Sequence, residues 1–130
     1  MEIKVSSRYQ KVSPKKARLV ADLIRGMKIQ DAEDQLENLN KKSASQYLAL
    51  IKQIKAILKD KGISDDNIVV QNVVCKEGPR LKRRIFAGRG HANRILKRMS
   101  HLSMVAGENV VKKTHEKKIN KKIGKNGPKV

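Results

Sequence analysis

Apolar positions divide the chain into short patterned blocks. Over residues 2 to 12, EIKVSSRYQKV, Ile3 and Val5 alternate with polar neighbours, which predicts a strand. The next block, SPKKARLVADLIRG, changes period: Val20, Leu23 and Ile24 make a helical stripe. Ser13 suits the N-cap, Pro14 the first helical position and Gly26 the stop, so a short helix is expected here. In QDAEDQLENLN, Ala32, Leu36 and Leu39 fall at i, i+4 and i+7, with acids in the first turn where the helix dipole favours them. A third and longest helix is expected from an Asn40 cap to Gly62, with Ala44, Leu48, Ile51, Ile54 and Leu58 facing the core. Past it, DDNIVVQNVVC turns to β-branched residues and enters a strand near Ile68; a last strand is expected from about Arg94 to Ala106.

Between those strands the pattern fails. Residues 78 to 101, GPRLKRRIFAGRGHANRILKRMSH, hold eight basic side chains and no acid. Leu81, Arg83 and Ile85 would share one side of a strand, Lys82, Arg84 and Phe86 the other, so neither face is consistently apolar. Gly88 and Gly90 flanking Arg89 supply a turn, which makes the stretch a hairpin with arms of roughly 9 residues reaching on the order of 30 Å. An isolated hairpin in water is marginal, so this one needs something other than its own core to lie against.

Charge indicates what that something is. The formal net charge is +19, yet residues 29 to 77 carry seven basic and eight acidic side chains, so the excess sits in the flanks. Charge that served solubility alone would be interspersed; segregation argues for a polyanionic partner touching the flanks. Six of the nine arginines lie between residues 80 and 98, whereas residues 111 to 130 have lysine only. Arginine's planar fork makes a fitted contact with phosphate and base edges, so Arg80, Arg83, Arg84, Arg89, Arg94 and Arg98 read as fixed anchors and the lysine tail as a screening arm. Lys15, Lys16 and Arg18 stand at a helix N-terminus, another place to meet phosphate. With Phe86, Tyr9 and Tyr47 as its only aromatic residues, the chain lacks the several exposed rings of modules that read single strands by stacking. Recognition through phosphate, ribose and shape is left, as in structured RNA or duplexes.

Other chemistry is thin. Cys75 cannot form an internal disulfide and reads as a small core residue. His91, His101 and His115 have no carboxylate or cysteine at metal-ligand spacing, and no cofactor motif is present: GRG at 88 to 90 fits neither the dinucleotide nor the phosphate-loop pattern. Asp65 and Asp66 suit a turn, Met99 and Met104 a core or interface, and no nucleophile, base and orienting group assemble, so an enzyme is not expected. SPKK resembles the minor-groove motif of linker-histone tails, but here it stands once and opens a helix, so capping is the preferred reading. The start MEIKVSSRYQ argues against a secretory or transit leader, and no apolar run approaches the roughly 20 residues of a membrane span.

In order, SPKKARLVADLIRG, NKKSA, EGPRLKR, GRGHANRILKR and SHLSMV resemble the bacterial-type ribosomal large-subunit protein twenty-two family over roughly Val5 to Val105. The resemblance implies an α+β body, a small antiparallel sheet packed on three helices, with a long projecting β-hairpin; residues 1 to 110 would form this single domain and 111 to 130 a basic C-terminal tail. It implies binding to large-subunit rRNA, support of subunit assembly and a hairpin lining the nascent-peptide exit tunnel. Partners would be the rRNA, neighbouring large-subunit proteins and the nascent peptide, in the ribosome of the cytoplasm or an organelle, with no membrane. By position, Lys82, Arg83, Arg94, Lys97, Arg98, Ser100 and His101 match the family's hairpin arms, and Lys16, Arg18 and Arg25 its first helix. Phe86, Ala87, Gly88, Arg89, Gly90 and His91 would form the tunnel-facing tip, where the family's usual proline and basic residues are replaced by Ile85, Phe86, Ala87 and Gly88. The long helix ends KQIKAILKDKG in place of the family's small, Asn-containing end, and the lysine tail exceeds the short bacterial form. A free nucleoid or RNA-chaperone protein is the competing class.

Overall fold

A computed structural model of the protein describes residues 1–108. Its elements are β1 (Glu2–Gln10), α1 (Pro14–Ile24), α2 (Ile29–Glu37), α3 (Ala44–Asp60), a 3-10 turn (Asp65–Asn67), β2 (Ile68–Phe86) and β3 (Ala92–Glu108). The strands form one antiparallel sheet in the order β1-β3-β2. This is the expected α+β arrangement of a small sheet on three helices with a long hairpin; the lysine-rich tail over 111 to 130 lies outside the described residues.

The core lies between the helices and one face of the sheet. Ile3 and Val5 of β1, Val70, Val73 and Cys75 of β2, and Leu102, Met104 and Ala106 of β3 are buried there. Opposite them are Ala17, Val20, Ala21 and Ile24 of α1, Ile29, Ala32 and Leu36 of α2, and Tyr47, Leu50, Ile51, Ile54 and Leu58 of α3. Tyr47 ties two helices together, its hydroxyl donating to the Ala17 carbonyl at 3.2 Å. A Lys55–Glu33 ion pair links α3 to α2.

Several local expectations shift. β1 ends at Gln10, and Val12 is buried from outside the strand. On α1 the buried stripe uses Ala17 and Ala21 with Val20 and Ile24, while Leu23 is 37% exposed and Leu19 71%. Small alanines let α1 approach the sheet closely, which rotates the leucines outward. Ser13 does occupy the N-cap position, but its hydroxyl makes no capping bond. Asn40 is not the cap of α3: the chain turns through residues 40 to 43 after Leu39 has packed on the core, and Ser43 precedes the first helical residue, Ala44. Leu48 is only half-buried because Tyr47, Ile51, Ile54 and Leu58, at i, i+4, i+7 and i+11, form the true inward stripe. Last, β3 begins at Ala92 rather than Arg94, so the two arms are the far ends of β2 and β3 themselves.

Candidate nucleic-acid interface

The hairpin leaves the body at a paired irregularity. On one side of β3, Arg8 and Tyr9 of β1 together oppose His101, since Ser7 pairs with Leu102 and Gln10 with Ser100. On the other side, Gly78 and Pro79 of β2 oppose Met99, since Glu77 pairs with Ser100 and Arg80 with Arg98. Two-against-one bulges bend a strand and raise its twist, and here they face His101 and Met99, one on either side of Ser100 along β3. Gly78 suits the second bulge because a Cβ there would lie 3.1 Å from the Met99 carbonyl carbon. The same bulge carries Arg80 back onto Glu77, whose carboxylate accepts from the guanidinium at 2.6 Å. That bond, then the Arg80 charge, with Arg18 and Arg98 adding to it, holds the Glu77 carboxyl below its ordinary value. Glu77 at the root is thus acted on by three arginines, Arg80, Arg18 and Arg98.

Beyond the bulge, seven residue pairs run without interruption from Arg80↔Arg98 to Phe86↔Ala92. At about 3.3 Å per residue the free ribbon is about 23 Å long, shorter than expected because Ser100 belongs to the body. Every residue from Arg80 to Arg98 is exposed. The tip closes with the Ala87 N–H donating to the His91 carbonyl at 2.7 Å and the His91 N–H to Gly88 at 3.4 Å. Arg89 and Gly90 both have positive φ, 58° and 75°, the turn geometry whose twist suits a two-stranded ribbon.

Register sorts the ribbon into two unlike faces. Directly opposed residues share a face, so Arg80 with Arg98, Lys82 with Leu96, Arg84 with Arg94 and Phe86 with Ala92 form one of them. Leu81 with Lys97, Arg83 with Ile95 and Ile85 with Asn93 form the other. The first face holds five cations; the second holds two, with three aliphatic side chains. Alternation along β3 is unbroken, because the extra residues lie on β1 and β2. Arg94, Leu96 and Arg98 therefore continue the face on which Ser100, Leu102, Met104 and Ala106 are buried under the helices.

The residues read from the sequence fall into three groups. Arg80, Lys82, Arg83, Arg84, Arg94, Lys97 and Arg98 line the ribbon, and Phe86, Ala87, Gly88, Arg89, Gly90 and His91 its tip. Lys15, Lys16 and Arg18 are exposed on α1, which lies beside β2, and Arg25 is exposed at its C-cap. There Arg18 Nε donates to the Cys75 carbonyl at 3.4 Å and Arg25 to the Val73 carbonyl at 3.0 Å, while Arg25 also pairs with Asp22 at 3.2 Å. Both guanidiniums occupy carbonyls along the edge of β2, which blocks that edge to another strand. Ser100 and His101 stand at the root. His101 is half-buried, but Ser100 departs from the expectation of contact: its side chain is fully buried, and its hydroxyl has no hydrogen-bond partner among the described residues. Burial pushes the neighbouring Cys75 thiol above its ordinary value, against the smaller lowering effects of the Ser100 hydroxyl beside it and of the Arg18 charge. Sequence patterning misses Tyr9, 60% exposed beside His101. Among the described residues no group of three or more His, Cys, Asp and Glu could hold a metal ion, and no helix is long and apolar enough to cross a membrane.

A family model described as ribosomal protein L22p/L17e matches residues 5–107, taking in the sheet, the helices and the whole ribbon. The chain belongs to the ribosomal protein L22p/L17e family. Its relatives include the large ribosomal subunit protein uL22 of Syntrophotalea carbinolica, 38% identical over 109 residues that cover 83% of this chain and 99% of that one. Thermus thermophilus uL22 is 37% identical with coverage of 83% and 96%, and Mycoplasmopsis pulmonis uL22 40% identical with 83% and 99%.

Proposed function

We propose that the protein is a structural, non-enzymatic component of the large ribosomal subunit that binds large-subunit rRNA through the basic face of its ribbon. The observation that carries this reading is the pair of Arg–Arg oppositions, Arg84↔Arg94 and Arg80↔Arg98, on a face that no described residue covers. Like charges directly across a ladder disfavour it, so the arrangement makes sense with an anion between them. Arginine forks match phosphate oxygens in pairs, and a polyphosphate backbone presents such oxygens in series.

The finer roles follow the same geometry. The ribbon reaches away from the body and ends in Phe86, 86% exposed, which suits a tip reaching the exit tunnel and its nascent peptide. The less charged face, with Leu81, Ile85 and Ile95, would be the side turned toward that peptide. Leu19 and Leu23, turned outward on α1, suit a neighbouring large-subunit protein, and Lys15, Lys16, Arg18 and Arg25 further rRNA. Residues 1 to 110 act as one domain and the tail from 111 as an added cationic arm, and binding at several helices of rRNA at once would support assembly. Work in the ribosome of the cytoplasm follows from the same reading.

The test is the salt dependence of binding to deproteinised large-subunit rRNA. Replacing Arg84 and Arg94 together by glutamine should weaken binding and lower the slope of log K against log salt by about 2, roughly one for each phosphate that is no longer neutralised. An unchanged slope would contradict the assignment. Equal affinity for generic duplex DNA would favour the nucleoid-protein reading instead.

A further inference from the structure

Tyr9 is the residue that neither the charge pattern nor the helix packing accounts for. It lies in the β1 bulge with φ 57°, a left-handed conformation that bulky non-glycine residues adopt only under constraint, and such residues gather at functional positions. The bulge takes its N–H out of the ladder, and the Nδ1 of His101 accepts it at 3.0 Å. The imidazole then meets the phenol ring at 4.8 Å between centroids and 87° between planes. Backbone and ring are thus held by one partner, yet the residue remains 60% exposed. Around it stand Arg8 and Lys11 on the same segment and Lys76 opposite His101 across the ladder, all outside the buried core.

We infer that Tyr9, held upright by His101 in the bulge at the root of the ribbon, is a stacking platform for one unpaired nucleobase of the bound RNA. A lone ring cannot read a single strand by itself. It can clamp one flipped-out base beside a helix whose phosphates the ribbon holds, because every base has a π-face and stacking is indifferent to sequence. The cationic neighbours would take the flanking phosphates, and His101 acts as a positioning residue for the ring. The inference rests on the rRNA-binding reading given above.

The experiment uses the full chain carrying 3-fluorotyrosine. The sequence has two tyrosines, so two fluorine resonances are expected, and the one absent from Tyr9→Phe is Tyr9. Adding an rRNA fragment that binds should shift the Tyr9 resonance by the ring current of the base and leave buried Tyr47 in place. In parallel, Tyr9→Phe should bind within about twofold of the parent, while Tyr9→Asn, which tolerates the backbone conformation but has no ring, should bind about fivefold to a hundredfold more weakly with an unchanged salt slope. A Tyr9 resonance that stays put in a complex that forms, or a Tyr9→Asn chain that binds as the parent does, overturns the platform while leaving rRNA binding intact. Failure of the parent chain itself to bind overturns both. If Tyr9→Asn keeps its rRNA affinity but loses a neighbouring protein from reconstituted subunits, the ring's partner is protein and the platform falls.

Discussion

Strand β3 runs through two surroundings without changing face. Leu102, Met104 and Ala106 are buried in the core beneath the helices; Arg94 and Arg98, further along the same side of the same strand, lie under nothing in the described protein. The ladder to β2 continues through both halves, but the inner half is also paired with β1, so β3 is the middle strand of three in the body and one of two in the ribbon. A second difference is the cover: apolar side chains where helices supply it, and guanidiniums where, under the proposed function, a polyanion would supply it. A two-stranded ladder is marginal alone, so the outer half depends on what comes to lie on it, and among the described residues only the inner half has its cover.

The two halves should respond most differently to the same kind of truncation. Ile54→Ala, in the fully buried stripe of α3, should cost about 2–5 kcal/mol in urea denaturation of the free protein. Ile95→Ala on the ribbon, where the side chain is 39% exposed, should cost less than about 0.5 kcal/mol. Equal losses would mean the ribbon has a core of its own.

A smaller effect should have opposite signs in the two states. Arg94→Glu places an acid directly across from Arg84, so the free protein should gain about 0.2–1 kcal/mol of stability. The same change should weaken rRNA binding more than Arg94→Gln does, read by filter binding at one salt concentration. A variant that gained on both counts would show that the ribbon face is not where the polyanion lies.

The smallest expected effect sharpens the body's side of the contrast. Burial raises the Cys75 thiol, and it raises the Tyr47 phenol too, with Cys75 beside it adding to the rise. A folded-state value above the unfolded one means the unfolded chain releases its proton first as pH rises. Stability should therefore be flat at neutral pH and fall from about pH 8.5, where an unfolded thiol ionises, and again from about pH 10 for the phenol. Denaturation midpoints from pH 7 to 11 should show this decline, and Cys75→Val should remove its first part.

Much of this contrast is legible in the residues. The helical stripes from Val20 to Leu58, the entry to β2 at Ile68 and the acid-free stretch from Gly78 to His101 all carry their meaning in periodicity and charge. What periodicity cannot give is which side of the ribbon each cation takes relative to the core. That depends on Gly78 and Pro79 together opposing Met99, since one inserted residue exchanges the faces of everything beyond it. Ser100 misleads for the same reason: its polar neighbours suggest a surface, while the alternation of β3 puts it inside. Leu23 follows the helical stripe but not the close approach that Ala17 and Ala21 permit. Tyr9 is one of three aromatic residues in the sequence, and only the bulge shows that its ring stands free.

The paired bulges at the root have a mechanical meaning. A ribbon clamped at one end is a cantilever, and any force on Phe86 or Arg89 produces its greatest bending moment at the clamp rather than along the arms. The clamp is where Gln10, Ser100 and Glu77 stand abreast across the three strands, with one bulge on either side of the continuous strand. Load arriving from the tip enters the body along both β2 and β3, but only β3 does so without an extra residue at the clamp, β2 passing through Gly78 and Pro79. The compliance of the lever belongs to those few root residues, and its stiffness to a strand that runs unbroken from the tip into the core.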